Sequence, residues 1–202
     1  MMSHLNSILN NVGMALKYLS RIKHILFVCR LRFSSAKKRG ELMRKKMYFC
    51  GRNVELYTTY FGTEPFLISI HDNVVCAANV RFINHDVSCY RIAHYLNIPK
   101  NEVDSIGSIE LFENCFIGAY TILMPNCSVG KNSIIAAGSI VTKHIPDGEV
   151  WGGCPAKFIM TVDEYAQKIL NKSQKYPWIN DPKNITNKDY IKVRQNYFFE
   201  KK

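Results

Sequence analysis

A six-residue period runs through the middle of the chain and limits the folds that are open to it. From Leu111 the sequence reads LFENCF, IGAYTI, LMPNCS, VGKNSI, IAAGSI and VTKHIP. The first residue of every hexad is aliphatic, and the fifth is small in five of the six. Four of the six fourth positions are Asn or Gly, which adopt a left-handed backbone most readily. Each hexad therefore predicts a short strand and a corner, with three hexads per triangular coil and a buried aliphatic column.

The same frame recurs upstream, and two stretches interrupt it. Hexads with Asn at the fourth place begin at Cys50, Ile70 and Cys76. Residues 61–69 shift the frame by two, which indicates a short loop or bulge. Residues 86–104 carry no hexad pattern, so we expect them to leave the coil as a long loop. Long loops in compact repeat domains are uncommon and often functional.

The pattern divides the chain into three regions. Residues 1–48 are predicted to be a basic helical segment, because apolar residues recur at steps of three and four over 5–22. Residues 49–160 form the repeat domain. Residues 161–202 are predicted to be a helical or irregular extension that starts with a helix over 163–170.

Charge is concentrated in the first region. Residues 1–48 hold 11 Lys and Arg and one acidic residue, whereas residues 49–162 hold 7 basic and 10 acidic residues. The net charge of +11 is therefore a property of the N-terminal segment and not of the repeat domain. An amphipathic helix beside a basic stretch favours peripheral contact of residues 5–46 with an anionic membrane surface. The alternative is a helix that packs on the repeat domain, followed by a solvated connector.

Cysteine usage and hydropathy predict the compartment. The seven cysteines stand singly, without a C-x-x-C spacing, which favours reduced thiols in a reducing compartment. The longest apolar run, over residues 25–29, is far shorter than the roughly 18 to 20 residues that span a bilayer. No secretory signal is visible. We therefore expect a soluble, cytoplasmic protein, located at the inner face of the membrane if the basic segment binds lipid.

The hexads, the run GSIVTKHIP and the following EVWGGCPAKFI resemble the hexapeptide-repeat acyltransferases. Within that family the chain looks most similar to the O-acetyltransferases of galactosides, maltose, xenobiotics and cell-surface polysaccharides. The resemblance covers roughly residues 50–160. It implies a mainly β protein, a left-handed parallel β-helix with an N-terminal helical segment, an excluded loop over 86–104 and a C-terminal helix. It also implies a homotrimer that transfers acetyl from acetyl-CoA to a sugar hydroxyl of a cell-surface polysaccharide or its precursor.

Acetyl transfer from a thioester to a hydroxyl requires a base that titrates near neutral pH, and His is the usual choice. Of the six histidines, His85 alone lies where the coil ends and the long loop begins, in the run FINHD. The catalytic His of the resembling enzymes occupies this place, so His85 is the predicted general base. Asn84 and Asp86 are candidates to orient His85 or the acceptor, and the sequence does not separate these roles. Direct attack is expected, because no Ser or Cys is clearly paired with a base.

The resemblance also implies the residues that meet acetyl-CoA. The main-chain amide of Ala119 is the candidate donor to the oxyanion. The cofactor is expected to touch Ala137 through its main chain, and Thr142 and Lys143 near its tail. Lys157 matches a basic residue that faces the cofactor's phosphates.

Other functions remain open at this stage. Carbonic anhydrases of the gamma type share the resembling fold, but their zinc needs three histidines, two of them five residues apart. No pair here has that spacing, so no metal is expected. N-acetylation of an amino sugar, O-acetylation of an amino acid such as serine, and a non-catalytic β-helix binding or scaffold protein are the alternatives. Nucleic acid is not an expected partner, because the resemblance gives the basic segment no such role.

Overall fold

The computed structural model describes residues 18–19, 21–179 and 187–200. The chain divides into two compact units, Met1–Ile159 and Met160–Lys202, which are described separately below. Most of the helix predicted over 5–22 lies outside the described residues, although residues 18–19 and 21–22 are helical.

Short strands follow one another through the first unit and sort into three sheets. The strands are β1 (Phe49–Cys50), β2 (Glu55–Leu56), β3 (Ile68–Ile70), β4 (Val75–Cys76), β5 (Arg81–Phe82), β6 (Ile109–Leu111), β7 (Phe116–Ile117), β8 (Ile122–Leu123), β9 (Cys127–Val129), β10 (Ile134–Ile135), β11 (Ile140–Val141), β12 (His144–Ile145), β13 (Glu149–Gly152) and β14 (Lys157–Thr161). The sheet orders are β1-β3-β6-β9-β12, β14-β13-β10-β7-β4-β2 and β11-β8-β5.

From β1 to β13, consecutive strands pass from one sheet to another, so the chain winds around three faces. The pairings from β1 to β13 are parallel. Phe116 pairs with Ile134, so one turn of the coil takes three hexads. The parallel, three-sided coil predicted from the hexads is confirmed.

The interior of the coil is the column that the hexads predict. The first and fifth residues of all six hexads are buried: Leu111, Ile117, Leu123, Val129, Ile135, Val141, Cys115, Thr121, Cys127, Ser133, Ser139 and Ile145. Five of the six fourth residues have positive φ, namely Asn114, Tyr120, Asn126, Asn132 and Gly138. The sixth, His144, begins β12 instead.

An asparagine ladder reinforces one corner of the coil. The side-chain amide of Asn53 donates to Asn73, that of Asn73 to Asn114, and that of Asn114 to Asn132, over 3.0–3.1 Å. Asn thus serves twice here, because it accepts a left-handed backbone and its amide pairs with the coil above and below.

The basic segment contributes two helices to the first unit. Residues 21–32 form α1, which packs Phe27 and Leu31 against the core. The second helix, α2 (Ala36–Met43), begins at Ser35, whose side chain accepts from the Lys38 amide. It lies against the first coil so closely that a Cβ on Gly40 would come within 2.7 Å of the Val54 carbonyl oxygen.

Residues 86–104 contribute no strand, but they are more ordered than the loop we expected. They contain α3 (Cys89–Leu96) and a 3₁₀ turn over Lys100–Glu102. The helix buries Cys89 and Ala93, four residues apart, and ends at Asn97 in the left-handed conformation. The eight-residue helix is too short for its periodicity to stand out in the sequence. Upstream, a second 3₁₀ turn over Pro65–Leu67 lies in the interrupted stretch 61–69.

The second unit is helical. The helix predicted over 163–170 is confirmed as α4 (Val162–Ser173), which starts with a reciprocal capping box between Thr161 and Glu164. Further along, α5 (Asn187–Gln195) leads into a π-helical turn over Asn196–Glu200. Four aromatic side chains of this unit pack together: Tyr176, Trp178, Tyr197 and Phe198. Among the residues described, none of the helices combines the length and the apolar character that crossing a bilayer demands.

Candidate active site

His85 lies at the base of the segment that interrupts the coil, just after β5. It forms an antiparallel bridge with Ile106. The Asp86 amide donates to the Ser105 carbonyl over 2.7 Å, and the Gly107 amide donates to the Asn84 carbonyl over 2.9 Å. These bonds hold the two ends of the segment together. The His85 side chain is 13% exposed as a result.

Glu64 holds one side of the His85 ring. Its Oε1 lies 2.9 Å from His85 Nδ1. A hydrogen bond from the Thr63 hydroxyl, followed by the contact with His85, lowers the pKa of the Glu64 carboxyl. The ionised carboxylate can only accept, so Nδ1 carries a proton, and in the neutral ring Nε2 then keeps its lone pair. An imidazole in this tautomer can take up a proton at Nε2.

The other side of the ring is unsatisfied. His85 Nε2 is buried and has no hydrogen-bond partner among the described residues. Asp104 Oδ1 lies 3.4 Å away, within ion-pair range but without hydrogen-bond geometry. The ring of Tyr90 meets the imidazole edge-on at 6.0 Å. A buried polar nitrogen without a partner calls for an explanation, and a reactant or ligand is one.

Sequence reasoning missed Glu64, although a signal for it was present. Glu64 lies in the stretch where the hexad frame shifts by two. This stretch contains Gly62 at φ +68°, where a Cβ would clash with the Asn84 side-chain oxygen. The broken frame therefore lets the backbone pass close to Asn84 and delivers the Glu64 carboxylate to His85.

The two neighbours of His85 have different surroundings. Asn84 is fully buried, and its amide both donates to the Glu64 carbonyl and accepts from the Glu64 N–H. It therefore fixes the backbone of Glu64, whose carboxylate meets His85. Asp86 accepts from the Ser88 amide over 3.0 Å, and this bond is the main cause of its lowered pKa. The Asp86 carboxylate is engaged at the start of α3 and makes no hydrogen bond to His85.

The predicted cofactor residues lie on other parts of the coil. Ala119 and Ala137 occupy one corner in successive coils, joined by a hydrogen bond from the Gly138 amide to the Ala119 carbonyl over 2.8 Å. Neither alanine's N–H donates a hydrogen bond within the described residues. Both amides are therefore free to meet a ligand that runs along this corner.

The remaining predicted residues are polar and exposed. Thr142 and Lys143 lie between β11 and β12, and the Lys143 ammonium is 4.9 Å from the centre of the Trp151 ring. Trp151 in turn packs edge-on against Phe158, the neighbour of exposed Lys157. Between His85 and the five predicted cofactor residues, the described part of the chain makes no hydrogen bond or ring contact.

His85 also belongs to a set of three possible metal ligands. Ligand atoms of His85, Cys89 and Asp104 all lie within 4.8 Å of one another. The sequence does not reveal this set through histidine spacing or a C-x-x-C motif, because its members come from both ends of the segment 86–104.

The bacterial transferase hexapeptide family, described as six repeats, matches residues 108–143. A protein of Staphylococcus aureus (strain COL), named as an acetyltransferase, is 32% identical over 160 residues, which cover 71% of this chain and 80% of that protein. The galactoside O-acetyltransferase of Escherichia coli (strain K12) is 30% identical, and the match covers 64% of each chain.

Among solved structures, a maltose O-acetyltransferase from Clostridium difficile 630 superposes with a TM-score of 0.51. It covers 72% of this chain and 88% of its own at 19% sequence identity, so it supports the fold alone. The match to this chain spans slightly less than two thirds, 63 to 65%, of the length of three curated relatives.

Proposed function

The chain belongs to the bacterial hexapeptide-repeat transferase family, and we propose from that membership that it transfers acetyl from acetyl-CoA to a sugar hydroxyl. The observation that carries the proposal is the surroundings of His85, a half-buried imidazole whose Nδ1 meets a carboxylate and whose buried Nε2 has no hydrogen-bond partner among the described residues. A relative named for galactoside O-acetylation supports the sugar acceptor. A cell-surface polysaccharide or its precursor is the acceptor we favour.

The residues suggest a direct mechanism. His85 Nε2 takes the proton of the acceptor hydroxyl as its oxygen attacks the thioester carbonyl carbon. Glu64 stabilises the imidazolium that forms, and the Ala119 amide donates to the oxyanion. When the intermediate collapses, the carbon–sulfur bond breaks and the imidazolium returns its proton to the leaving thiolate. No acyl-enzyme is formed in this scheme.

Ala137, Thr142, Lys143 and Lys157 are our candidates for the remaining contacts with coenzyme A. A left-handed winding and an excluded loop over 86–104 are also part of the proposal. We further propose a homotrimer with active sites between subunits, because within the described residues of one chain His85 makes no hydrogen bond or ring contact with the candidate cofactor residues. The boundaries 1–48, 49–160 and 161–202 remain our proposed division of the sequence.

The experiment that tests the function is an acceptor screen that monitors release of free coenzyme A. We expect release with a sugar or oligosaccharide acceptor and a product that carries one added acetyl group on oxygen. Faster release with an amino sugar or with serine would favour the alternatives of N-acetylation or amino-acid O-acetylation. Failure to consume acetyl-CoA with any acceptor would favour a binding or scaffold role.

The assignment of Lys143 and Lys157 predicts a selective loss of cofactor affinity. Either residue changed to Ala should raise the KM for acetyl-CoA roughly tenfold, because a hydrogen bond to a charged group contributes about 1.5–3 kcal/mol. The KM for an analogue without the ribose phosphate should change less. Lys131→Ala is the matched control, since Lys131 pairs with Glu113 at another corner. Equal increases for both cofactors would rule out a contact with the ribose phosphate.

Contact of residues 5–46 with an anionic membrane is also part of the proposal. In α1, Ile22, Ile25 and Leu26 are more than half exposed, while Phe27 and Leu31 pack on the core. Residues 21–32 include four Lys and Arg and no acidic residue. Residues 5–17 lie outside the described part of the chain.

All seven cysteines are free thiols, which supports a location in the cytoplasm, at the inner face of the membrane. Cell fractionation would test this location.

Vesicle co-sedimentation measures the membrane contact. The full chain should pellet with anionic vesicles at low salt, and less with neutral vesicles or at high salt. Replacing Ile25 and Leu26 with Ser should abolish this binding, whereas Tyr95→Ser should not, since Tyr95 is an exposed residue of α3. A wild-type chain that stays in the supernatant with anionic vesicles would refute the contact.

A further inference from the structure

We propose that His85, Cys89 and Asp104 form a binding site for a borderline-soft divalent cation such as Zn²⁺, and that metal bound there inhibits acetyl transfer. The three residues contribute one imidazole nitrogen, one thiol sulfur and one carboxylate oxygen, all within 4.8 Å of one another. Zn²⁺ prefers such nitrogen, sulfur and oxygen ligands. The binding stands on this geometry alone, and the inhibition rests on the proposed function.

The distances are close to those of a metal site. Zinc lies about 2.0–2.1 Å from a His nitrogen and about 2.3 Å from a Cys sulfur in proteins. The 3.4 Å between His85 Nε2 and Asp104 Oδ1 already suits two ligands of one tetrahedral ion. Movement of the Cys89 thiol by on the order of 1 Å would complete a three-residue set with water in the fourth position.

A carboxylate also holds the His85 nitrogen that would not bind the metal. Histidines that bind metals almost always donate their other ring N–H to a carboxylate or carbonyl, which fixes the tautomer and the ring orientation. Glu64 plays this part here, at 2.9 Å from Nδ1. Nε2 is therefore oriented as a metal-binding His nitrogen is, and it has no hydrogen-bond partner within the described residues.

The backbone brings the ligands together in advance. Cys89 is the first residue of α3, four residues after His85. Asp104 enters from the other end of the segment, which the hydrogen bond from the Asp86 amide to the Ser105 carbonyl fixes beside His85. The Asp104 side chain is 58% exposed, so a cation can enter from solvent on its side.

Binding has a defined proton balance and a functional consequence. The Cys89 thiol loses its proton to solvent when the sulfur binds the ion, so affinity should fall as the pH is lowered. The lone pair of His85 Nε2 coordinates the ion and is then unavailable for the proton of the acceptor hydroxyl, which the proposed mechanism transfers to it. Metal binding and acetyl transfer are therefore mutually exclusive.

Cobalt(II) titration of the full, metal-free chain tests the binding directly. We expect a thiolate-to-cobalt charge-transfer band at one equivalent, displaced by Zn²⁺. Cys89→Ser should abolish the band, and Asp104→Asn should weaken binding by more than about tenfold, the usual cost of losing even an outer-shell partner. Cys154→Ser is the matched control, because Cys154 is an exposed free cysteine elsewhere in the fold. A band that persists in Cys89→Ser would overturn the site.

The activity assay separates this site from the proposed function. Zn²⁺ should inhibit the wild-type enzyme, and Cys89→Ser should keep its basal activity but lose most of the sensitivity. If the cobalt band depends on Cys89 but bound zinc does not slow acetyl transfer, the metal site stands and His85 is not the base. If zinc inhibits wild type and Cys89→Ser equally, inhibition arises elsewhere and this part of the inference fails.

Discussion

His85→Ala is expected to lower turnover by about 10² to 10⁴, the usual contribution of a positioned general base. The reaction would still proceed slowly, because the amide donors and the bound cofactor remain in place. Steady-state kinetics with saturating acetyl-CoA measure the change, and coenzyme A affinity should stay near that of the wild type. Comparable turnover in the variant would remove His85 from the mechanism.

His144→Ala is the matched control for this substitution. His144 Nδ1 lies 2.7 Å from the Ser128 hydroxyl at the surface of the coil, so its loss should leave turnover almost unchanged.

Glu64→Gln tests the role of the carboxylate that contacts His85. Because an anion beside the ring stabilises the imidazolium that forms during the reaction, its removal should reduce turnover. Turnover equal to that of the wild type would mean that Glu64 does not assist the base.

Ile135→Ala is expected to lower the free energy of unfolding by about 2–5 kcal/mol, because the side chain is fully buried and its truncation leaves a cavity. Ile135 lies in β10, which pairs with β7 on one side and β13 on the other. The coils above and below hold the backbone and limit its collapse into the cavity. Urea unfolding at a fixed protein concentration measures the loss.

The neighbouring residue supplies a control of the same chemical type. Ile134 lies in the same strand but points to the other face of the sheet and is only half-buried. Ile134→Ala should cost about 1 kcal/mol or less. Similar losses for the two variants would contradict the division of β10 into an inward and an outward face.

The repeat domain was predictable because one physical requirement recurs every six residues. A buried aliphatic residue and a left-handed corner are needed on each face of each coil. A single residue that departs from the hexad pattern therefore does not hide it. Tyr120 shows this well, because it is neither Asn nor Gly yet adopts φ +61° where its neighbours in the frame do. At this position the coil overrides the preference of the residue.

The surroundings of His85 were predictable only in part, because they depend on departures from the repeat. Glu64 reaches the ring through a shifted frame, and Cys89 and Asp104 arrive from both ends of an inserted segment. The six-residue period shows where the coil is interrupted, but it does not indicate which side chains meet at the interruption. Asp86, adjacent in sequence to His85, is engaged by Ser88, whereas Glu64, 21 residues away, makes the contact.

The close packing of α2 on the first coil also covers one open end of the stack. β1 and β2 end their sheets, and a coil with free carbonyls is a template on which another chain can continue the winding. Arg44 donates to the carbonyls of Cys50 and Gly51, and Arg39 donates to that of Leu56. Guanidinium groups thus occupy acceptors that a further coil would use. The basic segment therefore shields this end of the coil from edge-to-edge pairing with another chain.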